Sequence, residues 1–374
     1  MNYGVDQMRI LWFSANSYSD MCFTSQRELV NGLIHSGFEV QLINKDSSIP
    51  DEESSWRHVG IKSSKIAGLK AYSLAKNMAS WLSNDNYSGP TVAVVDWRLI
   101  GQLYAILSKR SIPWILLDRS PPADVGLLAK LQWSVWRKAW KLVAKHEHSM
   151  GVVVSSGHQQ FVQSRVSVDS GKFAHLPAGV NLSTFSPGPS IHGLKLIYHG
   201  RLDKHRGVLA LPMLIRKCQS AGIDVSLKMI GDGDCYPQLS AIAAEIDSIS
   251  VYPQMSLNDV AEHLRDSTIG LLPMPEIDVW AISSPLKRSE YCASGLLIFG
   301  IDHDGHRFDD NSYDWMKLVP QYDFHQDCIA WLSQLTQSQI SSLSQASREF
   351  AEQKLGWEHS VKTLVNCIQS LNES

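Results

Sequence analysis

The densest group of chemically capable residues is Tyr198-His199-Gly200-Arg201-Leu202-Asp203-Lys204-His205-Arg206-Gly207, where a short apolar run passes into a glycine-flanked basic loop and then a helical stretch. Backbone N–H groups and guanidinium forks in such a loop can surround an anion. The same composition also suits a solvated surface loop. Two further segments share its character. Met229-Ile230-Gly231-Asp232-Gly233-Asp234 ends another apolar run with Gly231 and Gly233, which admit a ligand close to the backbone or make an ordinary tight turn. Ser283-Ser284-Pro285-Leu286-Lys287-Arg288-Ser289-Glu290-Tyr291-Cys292-Ala293-Ser294-Gly295 reads as a turn entering a helix. Its N-terminus, at Ser284, Leu286 and Lys287, favours a phosphate, and Glu290 one turn along can accept hydrogen bonds from ribose hydroxyls. The plainer alternative is a capped helix with a surface glutamate.

Residues of this kind need a frame, and the rest of the chain reads as one. Met8 to Phe13 suits a buried strand, Thr24 to His35 has helical spacing, Gly37 ends that helix, and Phe38 to Ile43 is the next strand. The alternation continues through Thr91 to Val95, the helical Leu99 to Arg110, Trp114 to Leu117, a long helix, and Gly151 to Val154. A turn-rich passage from Asn181 to Ser190 interrupts it, and a second series starts at Leu194 to Tyr198, with later strands at Val225 to Ile230, Ile249 to Val251, Ile269 to Leu272 and Leu296 to Phe299. Strands separated by helices require parallel sheets. The expected class is therefore α/β, and 374 residues exceed what one core usually covers. The domains are placed at 1–186 and 187–357, with a helix of about 358–374 completing the first.

Composition narrows the classes further. With 44% apolar and 19% charged residues, the chain is neither disordered, collagen-like nor coiled coil. Cys22, Cys218, Cys235, Cys292, Cys328 and Cys367 form no CxxC pair, so a reducing cytoplasm is expected rather than a disulfide framework. No run of 18 apolar residues occurs, so neither a signal peptide nor a spanning helix is expected. The 14 histidines contain no HExxH, and no metal is assigned. Net charge is −3, but basic residues outnumber acidic ones 19 to 14 through Ser186 and are outnumbered 23 to 15 beyond it. In the basic half, Asp118-Arg119 and Asp96 with Arg98 are charged pairs at strand ends, either functional or structural. Leu127 to Lys145 carries Trp133, Trp136 and Trp140 on one stripe beside Lys130, Arg137, Lys138, Lys141 and Lys145. Together with Arg57, Lys62, Lys65, Lys70 and Lys76 this suits an anionic membrane surface, the alternative being tryptophans packed on the sheet.

The order and spacing of these segments resemble glycosyltransferase family 4. Beyond the three already described, His175-Leu176-Pro177-Ala178-Gly179-Val180-Asn181 with Phe185-Ser186-Pro187 is similar to the family's interdomain Pro-Asn-Gly-Val-Asp signature, with Ala178 in place of Asn. Phe350 to Leu371, including Gly356-Trp357-Glu358, resembles the segment that crosses back to the first domain. The resemblance implies a GT-B fold, two Rossmann-like domains facing across a cleft, and a retaining transfer of a sugar from a nucleoside diphosphate sugar to an acceptor hydroxyl.

Residue by residue, it implies that Arg201 and Arg206 grip the diphosphate, with Arg206 standing where the family usually has Lys. Gly200, Gly231, Gly233, Ser284, Leu286, Lys287 and Glu290 then line the donor site, and Ile282 occupies the place of the first glutamate of the family's Glu-x7-Glu motif. In the first domain the loop after the first strand reads Ser14-Ala15-Asn16-Ser17-Tyr18-Ser19-Asp20 without the family's glycine pair. Asp118 stands where a histidine is expected. Ser14, Asn16, Asp96 and Arg119 are thus expected on the acceptor side, and Asp118, Arg201 and Arg206 at the reaction. The implied partners are a nucleotide sugar and a glycan, lipid or small-molecule acceptor, with no cofactor, metal or nucleic acid, and the basic first half suits a cytoplasmic protein or one peripheral at the inner face of a membrane. A scaffold that binds a nucleotide sugar without transferring it is the alternative.

Overall fold

The computed structural model describes residues 8–20, 23–49, 56–66, 68–122, 127–189 and 192–373. The chain divides into two units, residues 1–177 with 357–374, and residues 178–356. In the first, β1 (Arg9–Phe13), β2 (Glu39–Asn44), β3 (Arg57–Gly60), β4 (Thr91–Asp96), β5 (Trp114–Leu117), β6 (Ser149–Val153) and β7 (Phe173–His175) form one parallel sheet in the order β3-β2-β1-β4-β5-β6-β7. Helices α1 (Thr24–His35), α2 (Lys70–Ser83), α3 (Ile100–Lys109), α4 (Leu127–Lys145) and α5 (Ser156–Gln163) make the crossovers. Every residue of β1 and β5 is buried, as expected of a sheet covered on both faces.

The second unit repeats the plan with β8 (Leu194–His199), β9 (Val225–Ile230), β10 (Ile249–Tyr252), β11 (Ile269–Leu272), β12 (Leu297–Ile301) and β13 (Met316–Val319), ordered β10-β9-β8-β11-β12-β13. Its helices are α6 (Ala210–Ser220), α7 (Tyr236–Ala243), α8 (Leu257–Arg265), α9 (Asp278–Ala281), α10 (Leu286–Ala293), α11 (Phe324–Leu332) and α12 (Gln337–Lys354). Local chemistry sets several ends. Ser256 caps α8 by accepting from the Asp259 N–H, and Thr336 with Gln339 forms a capping box on α12.

The division falls after Pro177, where the sequence places it after Ser186. Residues from Ala178 onward pack on the second unit: Val180 bridges to Gly356, Phe185 joins the core, and Arg348 donates to the Phe185 carbonyl at 2.8 Å. The chain then returns as α13 (Trp357–Glu373), which packs on α1 in the first unit. The helices approach closely at Gly32, where a Cβ would come within 2.2 Å of a Val361 methyl. Ser360 also donates to the Pro177 carbonyl at 2.9 Å.

Two expectations about the first unit are corrected. Asp118, expected beside the reacting groups, has no solvent exposure. Its Oδ2 accepts hydrogen bonds from Trp136 Nε1 at 2.6 Å and Trp140 Nε1 at 2.9 Å, and His158 Nε2 lies 3.4 Å away. A buried carboxylate persists only where donors meet it, and α4 supplies two. The same contacts take Trp136 and Trp140 into the core, against Phe161 and Phe173, so the tryptophan stripe is not a membrane face. Arg57, counted with the basic stretch, pairs with Glu39 at 2.8 Å across the edge of the sheet. Lys130, Arg137, Lys138, Lys141 and Lys145 remain exposed.

Replacing Asp118 by Ala strands two indole N–H groups. Asp118→Ala is expected to lower the unfolding free energy by about 2–6 kcal/mol, at about 1–3 kcal/mol per stranded donor. Asp118→Asn keeps an acceptor oxygen and should cost less. Urea denaturation followed by tryptophan fluorescence measures both, and equal losses would show that the two hydrogen bonds do not anchor the strand end.

Candidate functional site

In each unit the crossovers run in opposite directions on either side of one strand pair, β1/β4 in the first and β8/β11 in the second. Loops leaving the carboxyl ends of such a pair diverge and leave a crevice, the usual place for a ligand in an open α/β sheet. The residues singled out in the sequence can be placed against these two switch points.

In the second unit, β8 ends at His199 and the chain turns at Gly200, whose φ of 119° lies in the left-handed region. Gly231, at the end of β9, faces it so closely that a Cβ would stand 1.8 Å from the Gly200 carbonyl oxygen. Only glycine permits that approach. Gly233 follows in the same turn, its N–H donating to Asp232 Oδ1 at 2.8 Å.

The basic loop holds its charges in two different ways. Arg201 turns its fork onto Asp203, with Nε at 3.1 Å and Nη2 at 2.9 Å from the two oxygens. Burial raises the Asp203 carboxyl, but the Arg201 hydrogen bonds and a backbone donor from Asp234 outweigh it and hold the group below its usual range. Arg206 has no such partner among the described residues. Its guanidinium lies 5.1 Å from the Trp280 ring centroid, Nη1 reaches Met274 Sδ at 3.9 Å, and the buried Nε has no hydrogen bond. His205 also packs against Trp280, at 4.5 Å between ring centroids.

The third segment enters α10. Pro285 caps this helix without a side-chain hydrogen bond, so the first-turn N–H groups from Leu286 onward keep their positive end free of a side-chain acceptor. Lys287 lays its ammonium over the Tyr198 ring, 4.0 Å from the centroid, beside Gly200. Burial first, and the Arg206 charge second, bring this lysine down to about 7 against the opposing pull of Glu290. Glu290 is 4% exposed, with Oε2 3.1 Å from His199 Nε2. The structure thus gathers Gly200, Arg206, Gly231, Gly233, Leu286, Lys287 and Glu290 around the end of β8.

Ser284 is placed differently. Its Oγ accepts from the Ala178 N–H at 2.9 Å and from Arg288 Nη2 at 3.1 Å, so it anchors backbone and helix. Ile282 is buried at the end of α9.

In the first unit, Ser14, Asn16 and Asp96 belong to one network at the β1/β4 switch point. Ser14 Oγ accepts from the Asn16 N–H at 3.1 Å, and Asn16 Oδ1 accepts from Arg98 Nη2 at 2.8 Å. Asp96 binds Arg98 through both oxygens, at 2.9 and 2.5 Å, so that pair is structural and holds the β1 loop. Asp46 fastens the other side of the loop by accepting from the Ser17 hydroxyl and from the Tyr18 N–H. Arg119 lies apart, its Nη1 donating to the Leu176 carbonyl and burial lowering it to about 10.

His199, Trp280 and Asp46 were not singled out in the sequence. Only His199 carried a local signal, its position directly before Gly200 at a strand end. No group of three or more His, Cys, Asp or Glu side chains among the described residues could hold a metal ion.

No protein-family model matches the sequence, and no curated protein matches it. Solved structures are similar in fold. Sucrose-phosphate synthase from Thermosynechococcus elongatus superposes with a TM-score of 0.78 at 14% identity, covering 98% of this chain and 99% of that one. WaaG, a glycosyltransferase involved in lipopolysaccharide biosynthesis, gives 0.71 at 10% identity, covering 96% and 99%. Anabaena HepE in complex with UDP-glucose gives 0.73 at 8% identity, covering 97% and 99%. Two doubly wound parallel units in one chain, superposing on these proteins over almost their full lengths, give the protein the GT-B fold.

Proposed function

We propose that the protein is a glycosyltransferase that moves a sugar from a nucleoside diphosphate sugar to an acceptor hydroxyl with retention of configuration. One observation carries the reading. At the β8/β11 switch point two cations without ion-pair partners among the described residues, Arg206 and Lys287, stand with the free N-terminus of α10 and a buried carboxylate, Glu290. Cationic and N–H donors for a diphosphate thus stand beside a carboxylate that can accept from an adjoining ribose. The similar HepE structure, solved with UDP-glucose, supports the same ligand class.

In this reading Arg206, Lys287 and the α10 N-terminus stabilise the charge that develops on the diphosphate as it leaves an oxocarbenium-like sugar. Glu290 receives ribose hydroxyls, with His199 orienting it. Arg201 uses its fork on Asp203 and acts by shaping the loop, or re-pairs with a phosphate when the donor arrives. Asp118 and Asp96 are both committed to internal partners, which favours attack by the acceptor from the leaving-group side, its proton passing to a phosphate oxygen, over an enzyme carboxylate nucleophile. The reading in which the protein binds a donor without transferring its sugar draws on Ile282, an apolar residue at a position where the family resemblance implies an acid. Turnover separates the two, because a scaffold binds a nucleotide sugar and neither hydrolyses nor transfers it.

The acceptor is proposed to be a glycan or lipid at the inner face of a membrane. Ile66, Leu69 and Tyr72 are exposed among Lys62, Lys65 and Lys70, and the outer face of α4 presents Leu131 and Val135 among its basic residues. Such mixed faces suit an anionic headgroup layer. No helix among the described residues is long and apolar enough to cross a membrane. The described cysteines, five of them, are all unpaired and buried, which is compatible with a reducing compartment.

Arg206→Ala is expected to weaken nucleotide-sugar binding about ten- to a hundredfold, the loss of one charge-assisted contact, and to lower transfer with it. Calorimetry with a panel of nucleotide sugars measures the binding, and unchanged affinity would remove the phosphate role from this loop. Liposomes containing anionic lipid should sediment the protein at low salt and release it at high salt. Replacing Ile66 and Leu69 by Ser should reduce that binding, and absence of sedimentation at low salt would point to a soluble acceptor.

A further inference from the structure

Arg206 and Lys287 share one crevice but differ in kind. A guanidinium stays charged in any protein setting, whereas a lysine ammonium gives up its proton when burial and a neighbouring cation make the charge costly. The groups around Lys287 favour that loss. From β8 it faces the Tyr198 ring, a phenol that burial keeps neutral, and the chain at Gly200, where a Cβ would come within 2.9 Å of Nζ. From the turn Lys204–Arg206 it faces the like charge of Arg206, and from the segment after β12 it acts on His306, an imidazole that burial holds well below its usual range. Its own helix supplies Glu290 as the single opposing charge, and that carboxylate lies beside His199 at 3.1 Å. Among the described residues no carboxylate makes an ion pair with Lys287, and Glu290 acts on it only at a distance.

We propose that binding of a nucleoside diphosphate sugar at the end of β8 is coupled to the uptake of one proton by Lys287. This rests on the donor site proposed above. In the free protein the side chain is divided between amine and ammonium near neutrality, since burial and Arg206 set it at about 7. The negative charges of a bound diphosphate favour the ammonium and draw a proton from solvent onto Nζ. No other bond changes. Arg206 is then the permanent charge of the site and Lys287 the conditional one.

The sign follows directly. A group protonated in the complex and neutral in the free protein makes binding weaker as pH rises. Affinity should be flat below about pH 6.5 and fall by about tenfold per unit above about pH 7.5. Calorimetry in buffers of different ionisation enthalpy counts the protons. UDP-glucose is the first probe and other nucleoside diphosphate sugars follow, because both phosphates of such a donor are esterified and exchange no proton near neutrality. Uptake should approach one proton at pH 8 and shrink as pH falls through neutrality. Lys287→Arg should bind without taking up a proton, since its charge is fixed. Lys287→Met should weaken binding about ten- to a hundredfold at pH 6.5, also without uptake.

Binding by the unaltered protein with no proton uptake at pH 8 would overturn the coupling and leave the donor site standing. Uptake that survives in Lys287→Arg would move the proton to another group and overturn the assignment. Failure of every nucleotide sugar to bind would overturn the donor site itself, and the coupling with it.

Discussion

A parallel sheet covered on both faces cannot host polar chemistry along its strands, because every side chain there points into an apolar layer. Both sheets of this protein obey that constraint: β1, β5, β11 and β12 are buried at every residue. Polar groups are displaced to the strand ends, and at the carboxyl ends of β1/β4 and β8/β11 the diverging crossovers leave room for them. The loop glycines, the basic residues and the start of α10 follow from this displacement. Asp118 shows what happens when a carboxylate lies at a strand end away from a switch point. The end of β5 is roofed by α4, and two of that helix's indoles donate to the buried carboxyl there.

The central strands could be read from the sequence because their burial on both faces makes them continuous apolar runs. The edge strands β3, β7 and β13 could not. Arg57–Gly60 is wholly part-exposed or exposed and Phe173–His175 has no fully buried residue, so neither shows a hydrophobic period. The contacts divide the chain after Pro177, nine residues before Ser186, because the turn-rich composition of 181–190 marks an irregular segment and not the unit on which it packs.

The same division runs through the candidate site. Gly200, Gly231, Arg206, Lys287 and Glu290 were legible because glycine turns and basic loops at strand ends leave a local pattern. What each charge does was not legible. Arg201 and Arg206 are five residues apart and of one type, yet the first is tied to Asp203 and the second has no anionic partner among the described residues. Asp96 and Asp118 both follow apolar strands, and only the tertiary contacts separate the braced loop of one from the sealed core of the other. Pairing across long sequence distances, as between His199 and Glu290, leaves no trace in spacing.

The return of α13 to the first unit has a consequence for biosynthesis. A ribosome completes Pro177 and must still translate all of 178–356 before it makes Trp357. At about 5–20 residues per second that interval is roughly ten to thirty-five seconds. Throughout it the α1 surface at Gly32 lacks the Val361 helix that covers it, while the second unit, contiguous in sequence, can assemble as it emerges. The first unit to be made is therefore the last to be finished, and the open α1 groove is the surface that a nascent-chain chaperone would have to shield.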